Sequence, residues 1–146
     1  MDKTNPVNRV NPVEKRFAMT INQLTESIIG CAYAVHNALG PGFLERVYEN
    51  ALRIELESAG LAVAQQYPVP VRYREQLIGD FHADLVVEGR VIIELKAVRT
   101  LAKEHEVQLV NYLTATGMDD GLLINFGQSV EVKRKFRKYM RQDSQD

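Results

Sequence analysis

The spacing of apolar residues changes at Gly60 and changes back at Lys103, and this constrains the fold more than any other feature. Before Gly60, apolar residues recur at the three-to-four-residue period of a helix. Between Gly60 and Lys103 they alternate as in strands, and after Lys103 the helical period returns. The element order is therefore helix, helix, three strands, helix, strand. This order predicts an α/β (α+β) fold with a mixed central sheet of about four strands flanked by helices.

Glycines and turn residues set the predicted boundaries. The predicted helices cover residues 21–39, 43–59 and 103–116, and the predicted strands cover 63–73, 77–87, 90–98 and 121–126. Gly40-Pro41-Gly42 ends the first helix and Gly60 ends the second. At about 100–200 residues per domain, the chain holds one domain. We expect an irregular arm over residues 1–19, the domain over 20–132, and a basic and polar tail over 133–146.

Composition and charge exclude several classes of protein. Apolar residues make up 45% of the 146 residues and charged residues 25%, which excludes disordered and collagen-like chains. The single cysteine, Cys31, excludes an internal disulfide or a thiolate zinc site, and we expect a reduced, cytoplasmic protein. No apolar run approaches the roughly 20 residues of a membrane span, so we expect no membrane partner. With a net charge of −1, binding of nucleic acid requires a local basic patch.

Two charged residues interrupt the most apolar predicted strand. Because strand side chains alternate between faces, Glu94 and Lys96 share one face of that strand. In the preceding strand, Asp84 shares a face with Asp80 and His82. The opposite face of that preceding strand carries Phe81, Ala83, Leu85 and Val87. If the two polar faces coincide, Asp84 and Glu94 converge beside Lys96.

The loop between these strands decides whether the carboxylates meet. A two-residue loop would pair Asp84 with Ile93, on the wrong face, whereas a three-residue loop at 88–90 pairs Asp84 with Glu94. We predict the three-residue loop. Two convergent carboxylates are the usual protein contribution to a Mg²⁺ site. The structural alternative is a cross-strand ion pair of Glu94 with Lys96 or Arg90.

Two predicted helices can add polar groups to this cleft. In the third helix, His105, Gln108 and Tyr112 form one stripe, at spacings i, i+3 and i+7. This stripe offers imidazole, amide and phenol groups to the sheet. In the second helix, Glu45 lies at the edge of the apolar face and can point into the same cleft.

These residues carry a resemblance to a known family. Asp84, followed after nine residues by Glu94-Leu95-Lys96 and then by Gln108 and Tyr112, resembles the PD-(D/E)xK nuclease superfamily. The Gln-x-x-x-Tyr element resembles its RecB-like branch, although Phe81 stands where that branch usually has glycine. Residues 42–48 match the signature of a bacterial group within the superfamily, the GxxExxY proteins.

The resemblance implies specific roles and a core of αβββαβ order. It implies that Asp84 and Glu94 bind a divalent metal, Mg²⁺ or Mn²⁺, and that Glu45 is an additional acidic ligand. Lys96 would assist the attacking water or the transition state. Gln108 and Tyr112 would support this machinery.

The end of the chain carries a candidate nucleic-acid-binding patch. Six cations fall within residues 133–141, interleaved with two aromatic residues. The cations that we predict to contact phosphates are Lys133, Arg134, Lys135, Arg137 and Lys138. A solvated basic tail is the alternative interpretation.

Together these features predict a metal-dependent nuclease, with DNA ahead of RNA as substrate. The alternative is a catalytically idle module of the same fold that binds nucleic acid or a protein partner, in one version as a homodimer. Metal dependence separates the two hypotheses, because an enzyme of this kind needs Mg²⁺ or Mn²⁺ for activity.

Overall fold

A computed structural model describes residues 19–138. Within that range the helices are α1 (Ile21–Leu39), α2 (Glu45–Ser58) and α3 (Lys103–Thr116), and the strands are β1 (Val63–Tyr73), β2 (Gln76–Val87), β3 (Val91–Lys96), β4 (Asp120–Phe126) and β5 (Val130–Phe136). The predicted element order is confirmed, with β5 added. Residues 1–18 of the predicted arm and 139–146 of the predicted tail lie outside the described residues.

The five strands form one mixed sheet in the order β1-β2-β3-β4-β5. Strand β4 runs parallel to β3 after the α3 crossover, and the other neighbours are antiparallel. The expected sheet of about four strands gains β5, which pairs with β4 from Val130 to Phe136. The predicted start of the tail at residue 133 therefore falls inside a strand. Its basic side chains obscured the short apolar signal of Val130 and Val132, which pack on the core.

Helices cover both faces of the sheet. One core cluster packs α1 and α2 against the sheet and includes Leu24, Ile28, Leu52, Leu56, Leu85, Ile93 and Ile124. A second cluster packs α3 against the opposite face and includes Ile92, Leu109, Tyr112, Leu113 and Leu123. None of the described helices is long and apolar enough to cross a membrane.

The loop between α1 and α2 is fixed by a buried tyrosine. The hydroxyl of Tyr48 donates to the carbonyl of Gly40 at 2.6 Å and accepts from the N–H of Phe43 at 3.2 Å. The Tyr48 ring stacks on Phe126 with the centroids 4.6 Å apart. Glu45 is the first residue of α2, so the hydrogen bonds of Tyr48 also fix the loop that directly precedes this acid.

Helix α3 approaches the sheet most closely at a glycine. A Cβ added at Gly121 would lie 2.9 Å from Cδ1 of Leu109, closer than van der Waals contact allows. Leu109 is fully buried. The missing side chain at Gly121 therefore lets α3 pack directly on β4.

The predicted loop between β2 and β3 is confirmed. Val87 pairs with Val91, which leaves residues 88–90 as the loop, and Leu85 pairs with Ile93. Arg90 N–H donates to the carbonyl of Val87 at 2.9 Å, and Glu88 and Gly89 both have positive φ, as in the tight turns of hairpins. Continuing this register places Asp84 opposite Glu94.

Candidate active site

Asp84 and Glu94 meet where β2 and β3 stop pairing through their backbones. The N–H of Asp84 donates to Oε2 of Glu94 at 2.8 Å, and the N–H of Leu95 donates to Oδ2 of Asp84 at 2.8 Å. Each carboxylate thus accepts a hydrogen bond from the other strand. The structure therefore brings together the two acids that the sequence placed in a metal site.

Burial and mutual repulsion make it unfavourable for both acids to be charged. Burial raises the pKa of Glu94 to about 8, and the charge of Asp84 adds to that effect. Burial likewise raises the pKa of Asp84 to about 6, against the lowering effect of the Leu95 hydrogen bond. Lys96 opposes both shifts with its positive charge. Such a pair is stabilised in its ionised form by a cation.

The donor set fits one divalent cation. Among the described residues, Oδ1 of Asp84 and Oε1 of Glu94 accept no hydrogen bond, so each acid keeps one oxygen available. Mg²⁺ in proteins typically takes one or two carboxylates and completes its shell with water and phosphate oxygens. Within residues 19–138, no group of three or more His, Cys, Asp or Glu is placed to hold a metal ion. Glu45 is therefore near the pair without completing a three-acid cluster.

Glu45 acts on the pair through its charge. It is half-buried in the first turn of α2, and its charge contributes to the raised pKa values of both Asp84 and Glu94. Glu45 therefore lies close enough for its charge to affect both acids. Its role as a metal ligand stays a prediction.

A second acid of α2, Glu49, was missed by the sequence reasoning. Glu49 is only 1% exposed, and its Oε2 accepts hydrogen bonds from the side-chain amides of Gln65 and Gln66, each at 2.8 Å. Its Oε1 lies 3.3 Å from Nε of Arg46. The charge of Glu49 contributes to raising the pKa of Asp84. Its spacing from Leu52 and Leu56 places it on the buried stripe of α2, and that spacing was the available signal.

The strand alternation fails at Asp84, which corrects one prediction. Leu85 packs with α1 and α2, whereas Ala83 belongs to the α3 cluster, so these residues do not share one face as expected. Opposite Asp84 lies Gln66, because its neighbours Gln65 and Tyr67 pair with Leu85 and Ala83. Gln66 has φ 55°, in the left-handed region that non-glycine residues rarely adopt. Both strands therefore exchange faces at the level of the acid pair.

Lys96 ends β3 beside the acids and is half-buried. It pairs with Asn125 of the parallel strand β4. The buried Asn125 side chain accepts from the N–H of Val98 at 3.0 Å and donates to the carbonyl of Val98 at 2.9 Å. Asn125, which the sequence did not single out, thus anchors the backbone just after Lys96.

Of the predicted stripe on α3, the structure relates Tyr112 to the acid pair. Tyr112 is buried, and its pKa is raised by burial and further by the charges of Glu94 and Asp84. Gln108 is half-buried one turn earlier. His105 has a structural role, since its Nδ1 accepts from the N–H of Ala102 at 3.0 Å at the start of α3. Tyr112 and Gln108 both line a groove beside α3.

Four of the five predicted phosphate-binding cations are ion-paired. Lys133, Arg134 and Lys135 lie in β5 and pair with Glu131 (4.0 Å), Asp120 (3.5 Å) and Glu106 (3.0 Å). Arg137 follows β5 and pairs with Asp119 at 2.8 Å. Lys138 is exposed and makes no ion pair with the described residues. The structure therefore leaves Lys138 the freest member of the patch.

Comparisons with known proteins support this architecture. The sequence model of the PD-(D/E)XK nuclease superfamily matches residues 22–138. No curated protein matches the chain. The structure is similar to that titled "Crystal structure of SSO0001", with a TM-score of 0.53, 17% identity and 90% of this chain covered. The chain covers 66% of that protein, and at this identity the likeness shows the fold alone.

The fold is a mixed α+β arrangement consistent with the restriction-endonuclease-like fold. The family match spans most of the chain and includes the acid pair, Lys96, Gln108 and Tyr112. Members of that family are generally nucleases. The chain belongs to the PD-(D/E)XK nuclease superfamily.

Proposed function

We propose that this protein is a metal-dependent nuclease that hydrolyses phosphodiester bonds of nucleic acid, with DNA ahead of RNA. The observation that carries the proposal is the meeting of Asp84 and Glu94 through reciprocal carboxylate–amide hydrogen bonds. A structural ion pair would place Lys96 or Arg90 on Glu94 instead. Neither residue forms an ion pair with Glu94 among the described residues.

Asp84 and Glu94 would hold Mg²⁺ or Mn²⁺ through the carboxylate oxygens that accept no hydrogen bond. When bound, the ion polarises a phosphate and increases the acidity of a coordinated water. The backbone amides of Asp84 and Leu95 fix the other carboxylate oxygens, so the two acids are positioned before any ion or substrate arrives. Glu45 is the candidate for a further acidic contact.

Lys96 has the central role among the remaining side chains. Lys96 lies two residues after Glu94 in β3 and its charge acts on both acids, so it can position the attacking water and neutralise charge that develops on the phosphate. The Asn125–Val98 hydrogen bonds limit movement of the strand end that carries Lys96. Gln108 would orient Lys96 or the water, and Tyr112 would support the scissile phosphate or pack against a base.

Metal titration by calorimetry tests the first half of the proposal. Wild type should bind Mn²⁺, and Asp84→Ala and Glu94→Ala should each lose binding. Asp80→Ala is the matched control, because Asp80 is an exposed acid four residues earlier on the same strand. The titration is repeated with a nucleotide present, since some sites of this type fill only with a phosphate. No binding in either condition would contradict the metal site.

Nuclease assays on DNA and RNA test the second half. Lys96→Ala should abolish Mg²⁺-dependent cleavage while metal affinity and thermal stability stay close to wild type. Unchanged turnover in Lys96→Ala would reject the assigned role. Nucleic-acid binding that is equally strong in chelator, without any cleavage, would identify the idle binding module instead.

A further inference from the structure

A large groove lies between α3 and the β1–β2 hairpin. Its volume is about 1150 Å³, which exceeds the roughly 300–1,000 Å³ typical of sites for small ligands. The hairpin strands contribute Val71, Arg72 and Phe81 to its lining, and α3 contributes Lys103, Val107 and Gln108. A groove of this size can accept a segment of a polymer.

The groove is lined by two residues assigned to the candidate active site, Gln108 and Tyr112. Tyr112 belongs to the same buried cluster as Ala83, which directly precedes Asp84, and Ile92, which lies two residues before Glu94. The ring of Phe81 lies 6.0 Å from the ring of Tyr112, and Phe81 is 46% exposed. A polymer lying along these rings would therefore lead to the acid pair.

The lining chemistry distinguishes the possible polymers. Phe81 and Val107, which is 48% exposed, present apolar surface to the groove. Arg72 and Lys103 are exposed cations in the same lining, and neither forms an ion pair with any described residue. A duplex presents sugars and phosphates on its outside and keeps its base faces stacked. An unpaired strand presents base faces to aromatic rings and phosphates to cations, which matches the apolar residues and the two cations of the lining, where one exposed acid, Glu104, also lies.

We propose that this groove binds an unpaired nucleic-acid strand and leads it to Asp84, Glu94 and Lys96, so that single-stranded nucleic acid is the substrate class. The inference rests on the nuclease function proposed above, which makes the bound strand a substrate. The base-binding surface is formed by Phe81 and Tyr112, with Val107 alongside. Arg72 and Lys103 contact phosphates.

Fluorescence anisotropy in chelator tests the groove without cleavage. The probes are labelled oligo-dT and oligo-U of about 15 nucleotides and a DNA duplex of the same length. Val107→Glu places an anion in the groove on an exposed helix position, where glutamate is a good helix former. Ile54→Glu is the matched control, because Ile54 is 54% exposed on α2 and does not line the groove. Phe81→Ala removes the exposed ring, and Phe81→Tyr retains it.

Wild type should bind one of the single strands more tightly than the duplex. Val107→Glu and Phe81→Ala should each weaken that binding at least about tenfold, whereas Ile54→Glu and Phe81→Tyr should stay close to wild type. Failure to bind either single strand, a preference for the duplex, or unchanged affinity in both groove variants would overturn the proposal.

Calorimetry with Mn²⁺ on the same variants separates this proposal from the nuclease function. Val107→Glu should retain metal binding. Wild type could bind a single strand more tightly than the duplex, lose that binding in the groove variants, and still bind no metal. In that case the groove is a strand-binding site and the nuclease proposal fails. If Val107→Glu retains metal-dependent cleavage of both single strands and duplex at wild-type rates, the nuclease stands and the groove proposal is wrong.

Discussion

The backbone N–H of Asp84 donates a 2.8 Å hydrogen bond to Oε2 of Glu94, so one acid is held by the peptide group of the other. This interaction lies next to Leu85 and Ile93, the last backbone pair of the β2–β3 ladder. Pairing between β2 and β3 holds the two carboxylates close together. The folded chain therefore keeps them under electrostatic repulsion. Several measurable properties depend on that repulsion.

Protein stability in chelator should fall as pH rises from about 5 to about 8. Burial and the neighbouring acid raise the pKa of Glu94 to about 8, above its unfolded value of about 4.3, so the folded state holds a proton that the unfolded state releases. One such proton corresponds to a decrease of about 1.4 kcal/mol in unfolding free energy per pH unit. Denaturant titrations across this range measure it, and Glu94→Gln should flatten the slope.

The exposed acid Glu26 of α1 supplies the control for that slope. Glu26→Gln should leave the pH dependence of stability as in wild type. A wild-type stability that is flat or rises between pH 5 and 8 in chelator would show that the acid pair is not held under repulsion.

Metal affinity should rise with pH over the same interval. Because burial raises the pKa values of Asp84 and Glu94, and the charge of Asp84 raises that of Glu94 further, a cation must displace protons from the pair at lower pH. The apparent affinity should increase by up to about tenfold per pH unit for each displaced proton. Calorimetry in buffers of different ionisation enthalpy counts those protons. Affinity that is independent of pH and buffer would contradict the assignment of these acids as ligands.

Glu49→Ala should destabilise the fold by about 1–3 kcal/mol, because it removes the acceptor of the Gln66 side-chain amide and one of the two acceptors of the Gln65 amide, Asn50 being the other. Glu57→Ala, which removes an exposed acid paired with Arg53 on the same helix, should cost less than about 0.5 kcal/mol. Urea unfolding measures both. Equal effects would mean that the hydrogen bonds of buried Glu49 contribute nothing to stability.

Among the basic residues near the end of the chain, Lys138→Ala should weaken nucleic-acid binding more than Lys135→Ala. Lys138 is exposed without an ion pair to described residues, whereas Lys135 lies 3.0 Å from Glu106. Removing a cation that neutralises one phosphate should reduce the slope of log affinity against log salt by about 0.7–0.9. The two variants remove the same charge, so a larger effect from Lys135→Ala would contradict the ranking.

The acid pair was predictable from sequence because loop length sets strand register. A three-residue loop between Val87 and Val91 places Asp84 opposite Glu94. The apolar residues around Glu94 indicated which face of β3 carries its side chain. The exchange of faces at Gln66 was not predictable, because nothing in the local strand pattern marks it, and the contact that Gln66 makes there is with Glu49 of a helix distant in sequence. Strand β5 was not assigned from the sequence because most of its residues are charged and do not show the apolar alternation of a strand. Its basic side chains instead form ion pairs with neighbouring elements.

The close packing of Leu109 on Gly121 gives α3 a fixed height above the sheet. Gln108 precedes Leu109 directly and Tyr112 follows it by three residues, so the contact at Gly121 sets how far both residues lie above the sheet. A methyl group at residue 121 would act as a spacer, lifting the helix and widening the groove together. The width of the groove and the height of Gln108 and Tyr112 above the sheet are thus set by the same contact.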